Sequence, residues 1–196
     1  MLQSVSFPVA GTEVLAILHL PSGEATGAMA LLCDRGMQYE HPDVLLTANA
    51  LADAGVGALR FDWRTPRPAL DDAVGDVVAA LRLLRAHPAL PGAIGVAGFG
   101  FGAAVAAVAA GRDSRVKVAV LGGVPAEVDG SRRPLVEVTR TRARVLIVRG
   151  EDADDADRYG PVLSQARVTH RLIDRDRRDH MVREIASWAK EAFSAT

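Results

Sequence analysis

The chain has 196 residues, of which 49% are hydrophobic and 24% charged, with a formal net charge of -1. That is enough for one domain with a sizeable core, spanning residues 1–196, and too little for two ordinary domains. Its arginines alternate with acids, as in "RLIDRDRRDHMVRE", which argues for a solvated face and against nucleic acid or an anionic membrane as partner.

One cysteine, Cys33, excludes an internal disulfide framework and a cysteine-built zinc site. The opening "MLQSVSFPVAGTEV" has neither the basic nor the apolar stretch of a signal peptide, and no apolar run approaches the ~18 residues of a membrane span. The expectation is a cytoplasmic protein with no metal and no cofactor, of an oligomeric state the sequence leaves open.

In chain order, Val14–Leu20 and Ala28–Cys33 read as strands joined by the turn-rich "PSGEATG", as a hairpin or as neighbours. Val44, Leu45, Ala48, Leu51 and Ala52 fall at helical spacing before Gly55, and "VGALRF" reads as a buried strand. After the loop "DWRTPRP", the apolar face Leu70, Val74, Val77, Val78, Leu81 and Leu84 predicts a helix that ends before Pro88. A strand over 93–97, a helix over 101–110, strands over 116–121 and 145–148, a possible strand over 168–173 and a helix over 181–193 complete the series. Strands alternating with helices predict an α/β fold with a mostly parallel central sheet, helices on both faces and no cap domain.

In such sheets ligands sit at the carboxyl ends of the strands. Those ends carry "CDRGMQYEHPD", "DWRTPRP", "GFGFG", "GGVPAEVDG" and "RGEDADDAD", followed by "RDHM" before the last helix. "GFGFG" does not fit a dinucleotide loop: Ala103 stands where the third glycine belongs, and no acid ends the next strand, which runs into Gly122.

Taken together, "LADAGVGALRFDWR", "IGVAGFGFGAAVA", "VLIVRGEDADD" and "RDHM" resemble, in order and over nearly the whole chain, the small lidless dienelactone-hydrolase-like members of the α/β-hydrolase superfamily. The resemblance makes "GFGFG" a nucleophile elbow, whose glycines at 98 and 102 allow strand and helix to approach closely. Its apex, where the family carries a nucleophile, is Gly100. Glycine relieves a backbone strain of about 1–3 kcal/mol there and leaves no attacking atom.

The resemblance further implies that His180 is the late catalytic histidine. Asp152 or Asp154 would orient it, since the family's acid position falls on Ala153 between them. It places the oxyanion hole at the Phe101 amide and a second amide from Asp34 or Arg35. Asp34 with Arg35, or Asp34 with Arg64, equally reads as a surface ion pair, and the acidic loop and His180 as solvated groups. Cys33, at the end of a buried strand, reads as a small core residue rather than a substitute nucleophile. With Tyr39, Trp63 and Arg64 it is a candidate to border a substrate pocket. Glu40 and His41 are candidates to border it too, and equally suit a helix start.

Three functions remain open on these residues. The first is an enzyme without a serine nucleophile, acting on a small carbonyl-containing substrate by general acid/base chemistry and oxyanion stabilisation. Elimination, isomerisation, cyclisation and direct attack by water all fall within that reading. The second is a non-catalytic pseudo-hydrolase that binds a ligand or partner. The third, an ester hydrolase with its serine deliberately replaced, is disfavoured by the displaced acid and the "CDRG" loop, because such a replacement would leave the rest of the site orthodox.

Overall fold

The computed structural model describes residues 1–125, 127–130, 134–149, 168–172 and 178–195. The elements are β1 (Leu2–Val9), β2 (Thr12–His19), β3 (Gly27–Leu32), α1 (Pro42–Asp53), β4 (Val56–Phe61), α2 (Leu70–Ala86) and β5 (Ile94–Phe99). They continue as α3 (Phe101–Arg112), β6 (Val116–Gly122), α4 (Pro134–Val138), β7 (Arg144–Arg149), β8 (Val168–Leu172) and α5 (Arg178–Ser194). The strands form one sheet of order β1-β2-β4-β3-β5-β6-β7-β8. β1 and β2 run antiparallel to each other and β2 antiparallel to β4, while every pairing from β4 through β3 to β8 is parallel.

Two expectations need correction. β2 and β3 do not form a hairpin and are not neighbours, because β4 lies between them and pairs with both. The hairpin is β1–β2, closed by a two-residue turn between Val9 and Thr12. β1 gave no sequence signal because its outer half is exposed and only Phe7 and Val9 along it are buried.

β3 and β4 are buried along their whole length, as a parallel strand covered on both faces must be. α1 packs against α5 and α2 against α3. α3 is buried from Phe101 to Ala110, so its alanines serve close packing on all sides rather than one amphipathic face. The apolar side chains form one continuous core.

α5 seats its Phe193 ring over a strip of glycine in the sheet. A Cβ on Gly27 would lie 2.5 Å from that ring, and one on Gly95 would lie 3.0 Å from it. Among the described residues, no helix is long and apolar enough to cross a membrane.

Candidate functional site

The turn from β5 into α3 has the close approach its glycines imply. A Cβ at Gly98 would run into the Gly102 carbonyl and lie 2.6 Å from the Ala103 nitrogen, and one at Gly102 would lie 2.7 Å from the Cys33 carbonyl oxygen. Gly100 sits between them at φ 56° and ψ -122°, a left-handed conformation that glycine adopts without strain. Its N–H donates to Gly122 O at 2.9 Å, which ties the turn to β6.

Over this turn hangs Asp34, from the loop after β3. Its Oδ1 accepts from the Phe101 N–H at 2.9 Å and from the Arg35 N–H at 2.8 Å. Two amide donors therefore converge on one oxygen, at the positive end of a twelve-residue helix. Of the two residues expected to lend an amide, Arg35 supplies the donor and Asp34 supplies the acceptor that fills it. A Cβ at position 100 would collide with the Asp34 carboxylate, Oδ2 first and Cγ at 2.6 Å. The acid thus occupies the space that a side chain at position 100 would need.

Arg35 is held beside the turn by three contacts. Its guanidinium lies over the Phe101 ring at 3.9 Å, donates through Nε to Pro68 O at 3.1 Å and pairs through Nη2 with Asp129 Oδ1 at 2.7 Å. The other Asp129 oxygen accepts from Leu70 N–H at 3.0 Å, fastening the start of α2 to the same cluster. On the far side, Arg178 Nε donates to Asp43 Oδ1 at 2.5 Å and joins α5 to α1.

These groups surround a cavity of about 720 Å³ whose floor is Gly100, Phe101 and Asp34. Met37, Val44, Phe99, Val148 and Met181 give it apolar walls, and Asp43, Glu127, Asp129, Arg35 and Arg178 give it a charged rim. Among the described residues, no three His, Cys, Asp or Glu side chains gather as metal ligands.

Cys33 lines this cavity, but its Sγ is turned to Met37 O at 3.1 Å. Burial, reinforced by the nearby Asp62 and Asp34, pushes its thiol up to about 12, so it stays protonated and a poor nucleophile.

Tyr39, Trp63 and Arg64 are absent from the lining and belong to the scaffold. The Tyr39 N–H donates to Asp62 Oδ1 at 2.7 Å, and its ring lies 4.9 Å from the Arg60 guanidinium. Trp63 is buried edge-on between Phe61 and Phe101, its Nε1 without a hydrogen-bond partner among the described residues. Arg64 pairs through its Nε with Asp76, which is wholly buried in α2, and donates its own N–H to the same carboxylate at 3.2 Å. Burial raises the Asp76 carboxyl above the usual range, and the Arg64 contacts oppose that shift.

His180 lies in the first turn of α5, which begins at Arg178 rather than after "RDHM". It is exposed and does not line the cavity, although Arg178 and Met181 on either side of it do. Asp152 and Asp154 lie outside the described residues.

Sequence reasoning missed Asp43, Glu127, Asp129, Arg178 and Met181 as lining groups. All of them fall in segments already placed at the carboxyl edge of the sheet, Asp43 as the last residue of "CDRGMQYEHPD".

Comparison with known proteins gives the class. A scan against protein-family models matches none, and a search of curated proteins returns no match. The solved structures do match over nearly whole chains. Est1E from Butyrivibrio proteoclasticus superposes with a TM-score of 0.82 at 14% identity, covering 97% of this chain and 99% of its own. The dienelactone hydrolase from Anabaena variabilis gives 0.79 at 23%, covering 100% and 97%. An alpha-beta serine hydrolase homologue from Coxiella burnetii gives 0.77 at 18%, covering 94% and 96%. The chain has the α/β-hydrolase fold, with the strand order and elbow turn described above, and its structural neighbours include a dienelactone hydrolase and esterases.

Proposed function

We propose that this chain uses the hydrolase fold to hold a small molecule in the cavity over Gly100 and performs no acyl transfer from the elbow. One observation carries the reading: the Asp34 carboxylate accepts both amides that would otherwise hold a substrate oxyanion, and it does so in the space left by the missing side chain at position 100. An ester carbonyl entering the site finds neither an attacking atom on Gly100 nor a vacant pair of donors. On this reading the glycine at the apex and the carboxylate above it go together. The plainer role of Asp34, capping an α3 that has no side-chain cap of its own, is compatible with the same reading. The protein acts in the cytoplasm on a small-molecule ligand, without nucleic acid or membrane.

The test is a stopped-flow assay with p-nitrophenyl acetate at stoichiometric protein. No burst of p-nitrophenol is expected above the buffer rate; a stoichiometric burst would overturn the reading.

A second reading is favoured by the position of His180, between two residues that line the cavity. It is the non-serine enzyme, in which His180, oriented by Asp152 or Asp154, moves a proton on a small carbonyl compound and the Phe101 amide bears the developing charge once Asp34 withdraws. Deuterium exchange into the α-carbon of small ketones, lost in His180→Ala, would establish it in place of the first.

A further inference from the structure

We infer, resting on the binding reading above, that the ligand of this cavity is a small protonated amine with an apolar body. The floor of the cavity has reversed its hydrogen-bonding character. Two amide N–H groups facing a pocket select an acceptor, such as a carbonyl or carboxylate oxygen. Here both are satisfied by Asp34 Oδ1. Of the same carboxylate, Oδ2 is the atom nearest to where a Cβ on Gly100 would stand, no described residue donates to it, and Asp34 lines the cavity. A carboxylate oxygen only accepts, so the complementary ligand group is a donor, and the charged donor is the stronger one.

The rim does not counter this preference. Arg35 is committed to Asp129, Pro68 O and the face of Phe101, and Arg178 to Asp43. Neither arginine is within ion-pair distance of Asp34 among the described residues. Met37, Val44, Phe99 and Met181 offer apolar surface to the ligand's body, in a cavity whose volume of about 720 Å³ suits a small organic molecule.

Asp34→Asn separates this inference from a merely structural role for the acid. The asparagine Oδ1 still accepts from Phe101 and Arg35, while its amino group puts a donor where Oδ2 was. The protein, labelled with 15N, is titrated with benzylammonium and, separately, with benzoate, following the Phe101 and Arg35 amide resonances. In the wild type, benzylammonium should saturate at about tenfold lower concentration than benzoate, and in Asp34→Asn the order should reverse.

Equal or tighter binding of benzoate by the wild type, or no saturable shift with benzylammonium, overturns the inference, and neither result depends on the variant folding. An unchanged preference in a folded Asp34→Asn overturns it as well. A burst in the ester assay would instead overturn the binding reading, whichever probe binds.

Discussion

The loops after β3 and after β4 lie at the carboxyl ends of adjacent strands, and each carries aspartate and arginine within three residues of the strand end, "CDR" in one and "DWR" in the other. Their fates differ. In the second loop the charges are consumed by the scaffold: Asp62 holds the Tyr39 N–H, and Arg64 reaches the buried Asp76. In the first, Arg35 is likewise consumed, but Asp34 lines the cavity and no described residue donates to its Oδ2. Charge at a strand end does not make a site; an atom left unsatisfied in a cavity does.

The contrast can be broken most forcefully in the second loop. Arg64→Ala takes the charged partner from the buried Asp76 and should destabilise the fold by about 3–5 kcal/mol, read as a lower urea midpoint. Binding at Gly100 should change only as far as unfolding dictates.

A pH experiment comes next. His19 is buried and accepts from Arg60 Nε at 2.8 Å; burial first, and then the Arg60 charge, lowers its pKa to about 4. Because the folded value lies below the unfolded one of about 6.5, stability is full above that pH and falls as pH drops toward 4, by up to about 3 kcal/mol. Urea titrations at pH 7 and pH 4.5 should differ in the wild type and differ less in His19→Gln.

At the first loop, Gly100→Ser forces a Cβ against the Asp34 carboxylate in a left-handed backbone, at a cost of about 1–3 kcal/mol. It should give no acyl burst. Gly100→Ser combined with Asp34→Gly removes the collision but not the backbone strain, so the double variant should lose less stability than the two single variants added; full additivity would mean that Asp34 is not the obstacle. The smallest effect is expected of Arg35→Ala, about 1 kcal/mol, since its pair with Asp129 is half exposed.

Legibility from sequence followed the same divide. The elbow was readable because close approach of backbone at positions 98 and 102 demands glycine whatever else changes. From β2 on, strand and helix order was readable from periodicity, with the five-residue α4 the exception. The direction in which Asp34 turns was not, since it depends on the end of β3 meeting the start of α3, residues 34 and 101. The role of Arg64 was hidden for a similar reason: its partner lies on the buried side of α2, and "DWR" by itself looks like a loop facing substrate. The last helix begins earlier than its apolar pattern, because Arg178 is held by Asp43 from α1 rather than by burial. That places His180 on a helix turn instead of a free loop.

The ring of Phe193 resting on Gly27 and Gly95 has a kinetic consequence. It joins residues from opposite halves of the chain, so the middle of the sheet keeps a bare strip until α5 arrives. Such non-local closure slows folding and leaves sticky surface exposed in the interim. Refolding should therefore show a late phase, reported by Trp188 on the same helix, and chaperone dependence should track that docking event rather than the chemistry at the elbow.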